Sequence, residues 1–106
     1  MIRSIYRFRF DKSVPMEDVE KALALSTIAI ESIYGESAMR LDGMFGVDKN
    51  ARVCTIDRET DLGRDLARVL TGFLKLSITD GSYAVEQDET DDDPGDMFAL
   101  FKGFIR

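Results

Sequence analysis

The feature that most limits how this chain can fold is the order in which its hydrophobic spacing changes. Residues 2 to 10 alternate, with aromatic side chains on one side and arginines on the other, which is typical of a half-buried strand. Residues 16 to 34 then place apolar side chains three or four apart, as a helix does. Two strand-like runs, 37 to 48 and 51 to 57, precede a second helical stripe and an alternating run that ends at residue 87. The predicted order is strand, helix, strand, strand, helix, strand.

Single residues mark the ends of these predicted elements. Gly35 suits a cap after the first helix, and Thr60 suits a cap before the second. Asn50 is available for a left-handed position in the short polar turn between the two middle strands. Gly63 and Gly72 lie inside the second helix despite their low helix propensity, so we predict a close-packing point at each.

The element order resembles the ferredoxin-like fold over residues 2 to 87. That resemblance implies an α+β domain with the split β-α-β-β-α-β order, a four-stranded antiparallel sheet and both helices on one face. We therefore predict a domain over 1–87, an acidic linker over 88–96 and an amphipathic C-terminal segment over 97–106. A fold that serves many functions does not choose among them.

The formal net charge of -6 belongs mainly to the predicted linker. Between Glu86 and Asp96 there are seven acidic residues and no Lys or Arg, and subtracting these seven from the 20 acidic residues leaves 13 against 14 basic ones. The predicted domain is thus nearly neutral, and its acidic extension is typical of a solvated linker.

The C-terminal segment is apolar on one predicted helical face, formed by Met97, Phe98, Phe101, Phe104 and Ile105. Burying side chains of this size stabilises by roughly 1.5–3 kcal/mol each before ordering costs. We therefore expect this face to pack on the domain or on a dimer mate.

The chain lacks the residues that several kinds of catalytic and metal chemistry require. The chain has no histidine, and its one cysteine, Cys54, lies in an apolar run where a buried structural thiol is expected. We predict no catalytic group, no metal site and no cofactor. The alternating N-terminus does not fit a signal peptide and no run is long enough to span a membrane, so a cytoplasmic protein without membrane contact is expected.

Two function classes fit these observations. The first is a non-enzymatic assembly or regulatory module, a homodimer that contacts an unidentified protein partner through its sheet face or C-terminal segment. The second is a small-molecule-binding or catalytic dimeric domain with a pocket between sheet and helices that contains Tyr6, Arg40 or Cys54.

A minor third class is binding of RNA or single-stranded DNA through the arginine row of the first strand. Arg3, Arg7 and Arg9 could contact phosphates. We expect instead that this row pairs with Glu86 and Asp88 on the neighbouring final strand, which makes nucleic acid an unlikely partner.

Overall fold

The computed structural model describes residues 2–90 and gives an α+β fold with three helices and a four-stranded antiparallel sheet. The elements in chain order are β1 (Arg3–Phe10), α1 (Met16–Tyr34), α2 (Glu36–Asp42), β2 (Phe45–Asp48), β3 (Val53–Asp57), α3 (Asp61–Ser77) and β4 (Tyr83–Thr90). The predicted helical face at residues 97–105 lies outside the described residues.

The sheet has the order β2-β3-β1-β4, and every neighbouring pair of strands is antiparallel. The connection through α1 and α2 therefore joins two parallel strands, β1 and β2, with β3 between them. In the same way, α3 joins β3 to β4 with β1 between them. Each helical connection thus passes over one intervening strand.

The core lies between one face of the sheet and the helices. Phe8 and Ile56 from the sheet are buried in the same apolar cluster as Leu23 of α1 and Leu66 of α3. Alternation along each strand turns every second side chain toward this cluster, as the period-two pattern of β1 predicted. Because residues of both long helices join it, α1 and α3 cover the same face, and the opposite face carries no helix among the described residues.

Two of the predicted helix ends are confirmed. The Thr60 hydroxyl accepts a hydrogen bond of 3.0 Å from the Gly63 N–H, which satisfies one free donor at the start of α3. Gly35 ends α1 with φ of +93°, and its N–H donates to the Glu31 carbonyl at 2.8 Å.

Gly63 and Gly72 of α3 have different surroundings. At Gly63 a Cβ atom would overlap the carbonyl oxygen of Asp57, so the predicted close-packing point is confirmed there. At Gly72 a Cβ would meet nothing within 4 Å, so the same prediction is wrong.

Three predicted boundaries need correction. The run 37 to 48 is not one strand, because α2 occupies most of it and β2 begins only at Phe45. The left-handed turn residue is Arg52, with φ of +59°, instead of Asn50. The final strand continues past residue 87 to Thr90, so the first residues assigned to the linker belong to the sheet.

No helix among residues 2–90 combines the length and the apolar character that a membrane crossing requires.

Candidate interaction surfaces

The helix-free face of the sheet carries three ion pairs between neighbouring strands. Arg9 Nε lies 2.7 Å from Glu86 Oε1, and Arg7 pairs with Asp88, both across the β1–β4 ladder. These are the pairings predicted from sequence, and they are confirmed. The arginine row is thus balanced by carboxylates and does not present free positive charge to a polyanion.

The third pair, between Arg3 and Asp57, was not predicted. Arg3 Nη2 lies 2.9 Å from Asp57 Oδ2, and the Asp57 side chain is almost fully buried. The hydrogen bond to this carboxylate is the largest influence on Arg3 and raises its pKa. Asp57 also accepts from the Glu59 N–H at 3.2 Å, so one carboxylate fixes both a strand and the turn that follows.

Burial on this face is greatest at Ile5, between Arg3 and Arg7, because the Arg3 side chain opposite Thr90 is again 22% exposed. The Arg9 side chain is 53% exposed and Arg7 is 19% exposed, whereas Ile5 is fully buried. Ile5 lies directly opposite Asp57 in the ladder. Gly46 of β2 is also buried, but it lies opposite the partly buried Thr55 and therefore not in the row of Ile5 and Asp57.

The Arg3 guanidinium has one unsatisfied donor. Its Nε is buried and has no hydrogen-bond partner among the described residues. Buried N–H groups normally have partners, so this atom marks a position from which water is largely excluded.

The outward flank of α1 is apolar. Leu25, Ile28 and Ile33 are 50%, 63% and 76% exposed. The positions Leu25, Ile28 and Ser32 follow the three- and four-residue spacing of one helical stripe. Ile33 borders this stripe and is the most exposed of the three. We call Leu25, Ile28 and Ile33 the α1 flank.

The outward side of α3 has the opposite character. It carries Asp61, Arg64, Asp65 and Arg68, joined by ion pairs one turn apart within the helix. Such pairs are typical of a helix face that meets water. Two helices that cover the same sheet face therefore present different surfaces outward.

The three residues predicted to line a pocket do not share one environment. Cys54 is fully buried, and burial raises the pKa of its thiol to about 12, so it is an inert core residue. Arg40 lies on α2, where its guanidinium pairs with Glu36 one turn earlier. Tyr6 is half-buried on β1, and the Arg58 guanidinium stacks 5.6 Å from the centre of its ring.

An open cleft of about 360 Å³ lies at the Tyr6 end of the sheet. It is lined by Ser4, Arg58, Gln87, Asp88 and Glu89. The Arg58 Nε is buried without a hydrogen-bond partner among the described residues, so this donor is unsatisfied but shielded from solvent. Asp88 and Glu89 on the opposite wall carry negative charge, which disfavours the binding of an anion in the cleft.

Residues 2–90 contain no group of three or more Cys, Asp or Glu side chains arranged to hold a metal ion. Comparisons with protein-family models, with curated proteins and with solved structures found no significant match to this chain.

Proposed function

We propose that this protein is a non-enzymatic assembly module that forms a homodimer through the α1 flank. The observation that carries the proposal is the contrast between the two long helices. The solvent-exposed side of α3 carries charged pairs, whereas that of α1 carries Leu25, Ile28 and Ile33. Exposed apolar side chains clustered on one flank of a helix are typical of protein contact surfaces, whereas singly scattered ones are not.

A second copy suits this flank because the stripe can pack against itself. In an antiparallel pair of α1 helices with the twofold axis near Ile28, residue 21 of each copy lies level with residue 35 of the other. Lys21 of each copy would then lie beside the C-terminal end of the other α1, where Glu36, which pairs with Arg40, begins α2. Opposite charges at the ends and apolar side chains at the centre give the composition of a self-complementary interface.

The ferredoxin-like class is part of this proposal. Taken from β4 to β2, the sheet order is β4-β1-β3-β2, with each helical connection passing over one intervening antiparallel strand. That arrangement supports the split β-α-β-β-α-β assignment, and α2 is then an added turn of helix before β2. The class permits many functions, so the assembly role depends on the α1 flank and not on the fold.

The oligomeric state tests the proposal. Light scattering after size exclusion should give twice the chain mass of 11.9 kDa. Ile28→Asp should reduce this to one chain, because the twofold contact would bring two unpaired carboxylates together in an apolar setting. Leu76→Asp is the matched control, since it places the same charge at an exposed leucine of α3. It should leave the dimer intact.

Circular dichroism melts show whether each variant retains the folded domain. A fall in mass supports the proposal only in a variant that remains folded. A single-chain mass for the unchanged protein over a wide concentration range contradicts the proposal. So does an Ile28→Asp variant that remains a dimer.

The cleft at Tyr6 favours a second candidate, a binding site for a small polar molecule. Arg58 is held over the Tyr6 ring, so its guanidinium is oriented at the wall of the cleft. Native mass spectrometry of the purified protein tests this candidate. A bound small molecule that is lost in Arg58→Met, with the fold retained, would support it. The matched control is Arg68→Met, on the charged side of α3.

A further inference from the structure

We infer that the cleft beside Tyr6 binds a zwitterion, a free α-amino acid whose carboxylate meets Arg58 and whose ammonium group meets Glu89. This ligand class rests on the second candidate function, a site for a small polar molecule, and gives that molecule a chemical identity. It is independent of the dimer, because no residue of the α1 flank lines the cleft.

The sheet places the two charged side chains on either side of Ser4. Glu89 lies directly opposite Ser4 in the β1–β4 ladder. On the other side of β1, the Arg58 N–H donates to the Ser4 carbonyl at 2.9 Å, one step beyond the last pair of the β1–β3 ladder. Residues that lie opposite each other in antiparallel strands point to the same side of a sheet. Arg58 and Glu89 therefore flank Ser4 on the side that carries Tyr6.

Neither of these two charges has an ionic partner among the described residues. The Arg58 guanidinium stacks on the Tyr6 ring but makes no hydrogen bond and no ion pair within residues 2–90. The same holds for the Glu89 carboxylate, although both side chains line one cleft. Asp88, the other acid of the cleft, is already paired with Arg7. A guanidinium and a carboxylate thus face one cleft without meeting each other.

A ligand with a single charge is disfavoured in a cleft of this composition. An anion that reaches Arg58 meets the negative charge of Asp88 and Glu89, and a cation that reaches Glu89 meets Arg58. A zwitterion satisfies both walls through charge-assisted hydrogen bonds, which are about twice as strong as neutral ones. The mixed charge of the cleft therefore favours a ligand with one carboxylate and one ammonium group.

The strand spacing limits the distance between the two charges of the ligand. One strand separates Arg58 from Glu89, so their backbones lie about 10 Å apart, and side chains stand roughly perpendicular to a sheet. Charge-assisted contacts of about 2.8 Å at each end leave about 4 Å between the carboxylate and the ammonium of the ligand. An α-amino acid comes close to this separation, whereas several methylene groups between the charges exceed it. The cleft volume of about 360 Å³ leaves space for the amino acid's own side chain.

Arg58 and Ser4 are held in place in the ligand-free protein. The Arg58 carbonyl accepts from Arg64 Nη1 at 2.7 Å and its N–H is bonded to Ser4, so this backbone is fixed on both sides. The Tyr6 ring supports the guanidinium. The Ser4 hydroxyl lies between the two charges and makes no hydrogen bond within the described part of the chain. It can accept from an ammonium group or donate to a carboxylate.

Amide NMR spectra of the full-length protein test the ligand class, with each common α-amino acid as a probe at millimolar concentration. At least one amino acid should shift the signals of Ser4, Gln87 and Glu89 to a saturating value. Its methyl ester lacks the carboxylate and its N-acetyl derivative lacks the ammonium group. Each derivative should bind about tenfold or more weakly, because each loses a charged hydrogen bond.

Two variants assign the charges of the ligand to the two walls. Arg58→Met and Glu89→Gln should each weaken binding of the amino acid by about tenfold or more, with the fold retained in circular dichroism. In Arg58→Met the ester should bind as well as the amino acid, and in Glu89→Gln the N-acetyl derivative should do so. Glu86→Gln is the matched control, because Glu86 lies on the same strand, pairs with Arg9 and is outside the cleft. It should leave the affinity unchanged.

The outcomes separate a wrong ligand class from a wrong site. An N-acetyl derivative or an ester that binds the unchanged protein as tightly as the amino acid does would overturn the zwitterion and leave a site for a singly charged molecule. The absence of a shift with every amino acid would also overturn it. Native mass spectrometry then decides the second candidate function, which stands if another small molecule is bound and is lost in Arg58→Met, and otherwise falls too.

Discussion

The helix-covered face of the sheet and its helix-free face bury side chains by different means. On the covered face, Phe8, Cys54 and Ile56 pack against two helices, and water is excluded by apolar contact alone. On the helix-free face, Ile5 is buried among charged residues that pair with each other. A charged face can therefore still contain a dry region, provided that each charge has a partner.

Removal of one partner from the buried ion pair should have the largest effect on this contrast. Arg3→Met leaves the Asp57 carboxylate buried without its cation. Breaking a buried pair costs about 3–5 kcal/mol, and the partial exposure of Arg3 places the expected loss near the lower value. Arg9→Met is the control, because the exposed pair with Glu86 should contribute about 0–1 kcal/mol. Urea unfolding of both variants measures the difference, and equal losses would contradict the distinction between the two pairs.

Asp57 also connects the two faces, since its side chain lies on the helix-free face and its carbonyl oxygen contacts α3 at Gly63. Gly63→Ala places a methyl group against that oxygen, so the strand and helix must separate, at a cost of about 1–3 kcal/mol. Gly72→Ala in the same helix has open space and should stabilise by roughly 0.5–1 kcal/mol. Thermal melts should therefore shift in opposite directions. A shift in the same direction would mean that the two positions are packed alike.

Thiol chemistry compares the two faces at adjacent residues. Cys54 points into the core with its pKa raised to about 12, so a thiol reagent should react with it slowly until the protein is unfolded. Thr55→Cys places a second thiol on the helix-free face, near Arg7, and this thiol should react faster than Cys54 in the same molecule. Mass spectrometry of partly modified protein identifies which site reacts first. If Cys54 reacts as readily in the native as in the denatured state, it is not a core residue.

The smallest effect concerns the Arg7–Asp88 pair, whose carboxylate is 47% exposed. The Glu89 backbone N–H and the Arg7 guanidinium hold the pKa of Asp88 below its usual value of 3.8. Because the folded-state pKa is lowered, the ionised carboxylate stabilises the fold at neutral pH, and this contribution is lost as the pH falls through and below that value. Asp88→Asn should be slightly less stable than the unchanged protein at pH 7, with the difference vanishing in acid. A stability difference that stays the same from pH 7 into acid would contradict this account.

Much of the fold could be predicted because its signals are local. The alternation of β1 and the cap at Thr60 depend on a few neighbouring residues. The run around Ser37 to Leu41 was misjudged because a short alternating run of Ala, Met, Arg and Leu also fits a helix, and these residues favour one. Gly35 ends α1, and the Glu36 to Arg40 pair then supports the short helix that follows.

The candidate surfaces were less predictable because they depend on distant parts of the chain. The arginine row could be matched to Glu86 and Asp88 because a neighbouring final strand was expected. Arg3 pairs with Asp57, 54 positions away, and only the ladder register with β3 brings them together. Period two tells which side Ile5 faces, but it does not tell whether that side is covered.

The position of β4 affects how the protein behaves at high concentration. It is the outermost strand on its side of the described sheet, and an edge strand of eight residues can act as a template for fibre growth. Glu86, Asp88 and Glu89 put negative charge on both faces of this strand. Two such edges that approach each other therefore repel before their backbones can pair. The acidic residues act as gatekeepers against aggregation, a protection that mild acid or high salt would weaken.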